Sequence, residues 1–113
     1  MIRYNKYSNK KVIVDDIKFD SKKEATRYKQ LKMLERVGKI RELELQKSFE
    51  LQPKFKKNNK SYRNISYKAD FYYFDVKQSK YIVEDTKGFK TDVYTLKKKM
   101  FEYKYSDLEI KEI

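Results

Sequence analysis

The sequence predicts a mixed α/β domain in which a short β-hairpin precedes the order αβββαβ. Three observations carry this fold class. Apolar residues recur at helical spacing in two segments and alternate at strand spacing in several others. Pro53 is the only proline, and Gly38 and Gly88 are the only glycines, so little interrupts regular structure. Eleven Tyr and seven Phe fall at strand-like intervals and supply a core in a chain that is 41% charged. At 113 residues the chain fits one domain, residues 1–113.

The elements follow in order. Residues 11–19 place two short apolar runs on either side of Asp15-Asp16, which reads as a β-hairpin. Ser21 followed by Glu24 forms a capping box that opens a helix over residues 21–37. Ala25, Tyr28, Leu31, Leu34 and Val37 are its apolar face, and Gly38 suits its C′ position. Residues 40–51 read as a strand, with a bulge placed near residues 46–48. Residues 53–64 are polar and basic and read as a loop. Residues 65–74 form a second strand, with Tyr67, Ala69, Phe71 and Tyr73 on one face. After a turn at 75–80, residues 80–87 form a third strand that Gly88 ends. Thr91 or Asp92 caps a second helix, with Val93, Leu96, Met100 and Tyr103 as its stripe. A short strand over 108–113 closes the chain.

Composition narrows the chemistry. With no Cys and no His, disulfides, thiolate or imidazole metal ligands and His-based acid–base catalysis are all excluded. Oxygen-ligand chemistry with hard cations such as Mg²⁺, Mn²⁺ or Ca²⁺ remains. No apolar run is long enough to span a membrane, and the basic N-terminus lacks the apolar stretch of a signal peptide, so the expected location is the cytoplasm. Against 17 acidic residues stand 29 basic ones, a net charge of +12. That balance points to a polyanion, nucleic acid above all. The plainer source of a Lys-rich chain is an AT-rich genome.

The chemistry-bearing residues lie on adjacent strands. Alternation puts Tyr81, Val83, Asp85 and Lys87 on one face and Ile82, Glu84 and Thr86 on the other. If the strands holding Asp70 and Asp85 pair as a hairpin, the two carboxylates and Lys87 share one patch. Such carboxylates repel unless a cation lies between them, and a divalent cation also binds phosphate oxygens and activates water. The plainer reading makes them surface charges, but Asp70 is followed by Phe71-Tyr72-Tyr73-Phe74 and Asp85 is preceded by Tyr81-Ile82-Val83. Charges in such apolar strands are costly without a purpose.

Asp70 followed by Asp85-Thr86-Lys87 on the next strand resembles the D…(D/E)-x-K signature of the PD-(D/E)XK nucleases. The resemblance extends through residues 19–25, Leu43-Glu44-Leu45-Gln46, residues 67–71, residues 83–88 and residues 91–97, so it covers roughly residues 10–105. These stretches look like a phage and prophage family of small endonucleases related to archaeal-type Holliday junction resolvases. The resemblance implies a restriction-endonuclease-like αβββαβ core with a mixed central sheet. It implies a Mg²⁺-dependent endonuclease, with Mn²⁺ able to substitute, and a phage or prophage origin in a bacterial host. Asp70 and Asp85 correspond to metal-binding carboxylates, the Thr86 carbonyl to a further ligand, and Lys87 to the catalytic lysine. Glu24 corresponds to an additional acidic ligand, against the alternative that it only caps a helix. Gln46 corresponds to a site-supporting polar residue, against an ordinary exposed Gln. The family's usual Pro before the first Asp is replaced here by Ala69.

Basic residues collect around this region. Lys56, Lys57, Lys60 and Arg63 precede the Asp70 strand, Lys97 and Lys98 follow the Lys87 strand, and Lys22 and Arg27 begin the first helix. All are candidate phosphate contacts. No recognition-helix pattern appears, which favours branched over sequence-specific DNA. A symmetric junction needs two cuts, so a homodimer is expected. The alternatives are a restriction-like, flap or single-strand nuclease, and a nucleic-acid-binding protein without catalysis.

Overall fold

A computed structural model describes residues 11–87 and 90–113. The expected strand end at Gly88 and the basic N-terminal segment lie outside the described residues. The elements are β1 (Val12–Val14), β2 (Ile17–Phe19), α1 (Lys22–Arg36), β3 (Ile40–Gln52), β4 (Phe55–Lys57), β5 (Lys60–Tyr62), β6 (Ile65–Asp75), β7 (Lys80–Asp85), α2 (Asp92–Lys104) and β8 (Ile110–Glu112). Strands β3, β6, β7 and β8 lie side by side in that order, the first three antiparallel and β8 parallel to β7. The sheet is therefore mixed, and the expected α/β order αβββαβ holds with β4–β5 inserted. No helix among the described residues is long and apolar enough to cross a membrane.

Local chemistry accounts for the element ends. Asp15 and Asp16 both take positive φ, 53° and 63°, the paired left-handed conformation of a tight I′ hairpin turn between β1 and β2. Ser21 caps α1, its Oγ accepting from the Glu24 N–H at 3.1 Å. At the other end Gly38 takes φ 80°, donating to Glu35 O at 3.1 Å while Lys39 donates to Leu34 O at 2.9 Å. Thr91, rather than Asp92, caps α2, accepting from the Tyr94 N–H at 3.0 Å. Helix α1 buries Ala25, Tyr28 and Leu31 as expected, with Leu34 partly buried, but Val37 is exposed at the C-cap.

Three expectations are corrected. Residues 53–64 are not a loop: β4 and β5 pair as an antiparallel hairpin around Asn58 and Asn59, whose φ values are 51° and 61°. Polar residues hid the strands, and the Asn-Asn turn was the available cue. Second, α2 does not bury Val93, Leu96 and Tyr103, which are exposed; it buries Tyr94 and Phe101, with Met100 partly buried. The helix carries apolar residues on two faces, and the sheet selects the aromatic one. Phe101 packs edge-on against Phe49 with ring centroids 5.0 Å apart and against Tyr67 at 5.4 Å. Leu96→Ser is accordingly expected to change stability by no more than about 0.5 kcal/mol. A urea titration showing a loss several times larger would put Leu96 in a core.

The third correction concerns the strand faces. Tyr67 and Ala69 pack with Phe49, Leu51, Val83, Tyr94, Phe101 and Ile110 beneath α2. Phe71 and Tyr73 pack instead with Phe19, Ala25, Tyr28, Leu31 and Ile40 beneath α1. All four share one parity on β6, so β6 exchanges faces near Asp70. Strand β3 does the same: Leu43 and Leu45 face the α1 cluster, Phe49 and Leu51 the α2 cluster. Between them Gln46 takes φ 53°. The β3–β6 register is unbroken across Gln46, and its shifts fall between Arg41 and Glu44 and between Glu50 and Gln52, not at the expected 46–48. The sheet thus serves two cores in succession, and Gln46 and Asp70 sit at the seam.

Candidate active site

The seam brings the predicted residues together. Antiparallel pairing of Phe71 with Glu84 carries Asp70 toward the end of β7. There Asp70 Oδ2 accepts from both the Thr86 N–H and the Thr86 hydroxyl, each at 2.8 Å. The left-handed turn at Gln46 aims its amide at the same point: Nε2 donates to Glu24 Oε1 at 3.0 Å and to Asp70 Oδ1 at 3.4 Å. Glu24 enters from the first turn of α1 and is buried. Its N–H serves the cap, while its carboxylate faces Gln46, so it does more than close the helix.

Asp85 is 1% exposed, yet both of its oxygens are engaged. Oδ2 accepts from the Tyr67 hydroxyl at 2.6 Å and Oδ1 from the Lys87 N–H at 2.9 Å. Lys87 lies beyond the end of β7 and is exposed, with Nζ 5.3 Å from the centre of the Tyr94 ring. The Tyr94 hydroxyl in turn donates to Glu112 at 2.8 Å. Sequence reasoning missed Tyr67, Tyr94 and Glu112. The cue was that a buried Tyr must find a partner for its hydroxyl.

Charge is crowded here. Burial, followed by the charges of Asp70 and Asp20, raises the Glu24 pKa to about 7, with Asp85 adding to the shift and a backbone hydrogen bond from Asp20 opposing it. Burial also raises Asp85; the Tyr67 hydrogen bond opposes this, Asp70 adds to it and Lys87 opposes it. Burial and the bond to Asp85 raise Tyr67, which keeps it a donor. In the metal-free chain, native Glu24 retains a proton that the unfolded chain has lost between the ordinary carboxylate value and about pH 7. Its contribution to stability is therefore full below the unfolded value and is lost as pH rises through about 7. Glu24→Gln should remove this fall. The comparison is thermal unfolding of both chains in EDTA on either side of neutrality; parallel curves would refute it.

The donor chemistry suits a hard cation, since every candidate ligand is oxygen. Among the described residues, however, no three carboxylates close into a ready-made cation cage. Asp70 is turned toward Thr86, and Asp85 toward Tyr67.

The basic residues divide. Lys56, Lys57 and Lys60 on the β4–β5 hairpin, Arg63 beside it, and Lys22 on α1 are all exposed. Lys97 and Lys98 are half-buried, and Lys98 lies 3.5 Å from Glu112. Arg27 departs from its expected phosphate-binding role. Its guanidinium grips Glu84, with Nε 2.7 Å from Oε1 and Nη2 2.6 Å from Oε2, while the Tyr73 hydroxyl donates to the same carboxylate. Glu84 is fully buried on the α1 side, which separates it from Asp85 as strand alternation required.

No curated protein and no solved structure matches the chain. The family model that matches is DUF1064, described as a protein of unknown function, and it covers residues 4–113. Over nearly its whole length, then, the chain belongs to the DUF1064 family.

Proposed function

We propose that the chain is a divalent-cation-dependent endodeoxyribonuclease that hydrolyses phosphodiester bonds, with branched DNA as its preferred substrate. The observation that carries this reading is geometric: one Gln46 amide bridges Glu24 and Asp70, Asp70 is held by Thr86, and Asp85 is held by the N–H of the exposed Lys87. Glu24 and Asp85 are buried beside the partly buried Asp70, and clustered carboxylates of this kind destabilise a fold unless a ligand uses them. Glu24, Asp70, Asp85 and the Thr86 carbonyl would hold Mg²⁺, or Mn²⁺ in its place. The bound cation would neutralise phosphate charge and make a nucleophilic water available near neutral pH.

The chain's own groups supply the rest. Gln46 holds Glu24 and Asp70 in register through one amide. Thr86 holds the other Asp70 oxygen, and Tyr67 and the Lys87 N–H hold the two oxygens of Asp85. Lys87 would bring its ammonium to the negative charge that builds on the phosphoryl oxygens. A symmetric junction requires two such centres, so the proposed working form is a homodimer in the cytoplasm of a bacterial host.

A DNA binder without catalysis is the competing reading, and it needs only the exposed basic residues such as Lys22, Lys56, Lys57, Lys60 and Arg63. The test is a cleavage assay on labelled four-way junctions, flaps, duplex and single strands, with Mg²⁺ or EDTA. Cutting of junctions in Mg²⁺ alone is expected. Tight binding with no cutting of any substrate would favour the binder, and preferential cutting of linear duplex or single strands would replace the junction.

A further inference from the structure

The β4–β5 hairpin stands apart from the sheet. All six strand residues are exposed, and β4 and β5 form a two-stranded sheet of their own. A two-stranded ribbon alone is marginal in water. This one is supported by its Asn58-Asn59 turn and by Phe55 stacked on Tyr62, with ring centroids 4.7 Å apart and planes 9° from parallel.

Its charges have no such explanation. Residues 51–69 contain Lys54, Lys56, Lys57, Lys60, Arg63 and Lys68 and no acidic residue. Lys57 and Lys60 are directly opposed across the two strands. Like charges in that position destabilise a ribbon. They stand on the face that carries Phe55 and Tyr62, since side chains two apart share a face. A polyanion laid along this face removes the repulsion, and nothing acidic within the ribbon does.

The aromatic pair distinguishes two ways of meeting nucleic acid. Phe55 and Tyr62 are 43% and 39% exposed, but one face of each is covered by the other. The Lys60 ammonium lies 5.3 Å from the Tyr62 ring centre, over its face. The rings hold the ribbon together and do not offer Tyr62 as an open platform for stacking bases. A B-form major groove, about 12 Å wide, admits a two-stranded ribbon, whereas the deep, narrow groove of A-form RNA does not.

We propose that the β4–β5 ribbon is an arm that enters the major groove of a DNA duplex and holds it through phosphate contacts from Lys57 and Lys60. Resting on the reading of this chain as a DNA-acting protein, the inference specifies that the arm grips paired DNA. The base of the arm at Ile65 is five residues from Asp70, about 17 Å along β6. The arm and the candidate site are thus joined by one continuous strand, with Asp70 on β6 and the arm leading into its start.

The experiment measures binding of the full chain, in EDTA, to a labelled DNA duplex, the corresponding single strand and an RNA duplex, across a salt series. Lys57→Ala with Lys60→Ala should weaken DNA-duplex binding roughly tenfold at low salt and reduce the salt slope by about 2, while changing single-strand and RNA binding less than about twofold. Lys57→Glu replaces the cross-strand repulsion with a favourable pair to Lys60, so it keeps the ribbon folded yet should bind duplex no better than the double variant. Unchanged duplex affinity in these variants overturns the arm. So does an equal loss on single strands or RNA. If the arm variants lose duplex binding but the wild type cuts nothing in Mg²⁺, the arm stands and the nuclease reading falls. If cutting depends on Asp85 while arm variants bind normally, the reverse holds.

Discussion

Asp85→Asn is expected to abolish Mg²⁺-dependent cleavage, with a rate loss on the order of 10³-fold or more, about 4 kcal/mol of transition-state stabilisation. Asn keeps the shape and one acceptor oxygen, so the Tyr67 hydroxyl or the Lys87 N–H retains a partner. It removes the charge on which the site depends. Lys87→Ala should cost roughly 10²–10³-fold, the scale of losing one donor to a developing anion. Both variants should bind duplex in EDTA as the wild type does. Tyr67→Phe separates positioning from chemistry: it leaves every carboxylate in place but frees Asp85 Oδ2, and a loss of about 10–100-fold is expected. Normal cutting by both Asp85→Asn and Lys87→Ala would remove the catalytic assignment, whatever the DNA affinity.

Arg27→Ala is expected to destabilise the fold by about 3–5 kcal/mol, because it strands the buried Glu84 carboxylate without its charge partner. Total stabilities of about 5–15 kcal/mol make such a loss a large fraction of the whole. Adding Glu84→Gln should recover much of it, since a neutral amide beside Tyr73 is far cheaper to bury than an unpaired charge. Arg27→Lys should not rescue, because a single ammonium cannot reproduce the two-point grip on Oε1 and Oε2. Urea unfolding of the four chains is the measurement. A loss below about 1 kcal/mol in Arg27→Ala would show the pair to be dispensable and return Arg27 to the surface basic set.

Much of this was legible in the residues. Ser21, Glu24 and Gly38 mark the ends of α1 through backbone chemistry that no distant contact can override. Asp85 separates from Glu84 because alternation on a short, buried strand is strict. What escaped depended on choices made in three dimensions. Both faces of α2 are apolar, and only the cavity left by Phe49 and Tyr67 selects Phe101 over Leu96. The β4–β5 ribbon has too little apolar surface to announce itself, and its one cross-strand aromatic pair is separated by the lysines and asparagines of the turn. Arg27 has the composition of a phosphate contact, but its guanidinium is taken up by Glu84 on β7. The face exchange at Gln46 was the hardest to read, because a left-handed Gln leaves no mark in an alternating pattern.

That exchange makes the carboxylate constellation a joint product of two packing units. Glu24 is carried by the α1 unit, while Tyr67 and the Val83 segment leading to Asp85 are seated in the α2 unit. Local opening of α1 would withdraw Glu24 and leave Asp70 and Asp85 behind, and opening near α2 would loosen Asp85 and leave Glu24 with Gln46. The full set of carboxylates exists only while both halves are closed. The proposed centre would thereby depend on the integrity of the entire domain, and a partly opened chain would keep its basic surface without the complete set of carboxylates beside it.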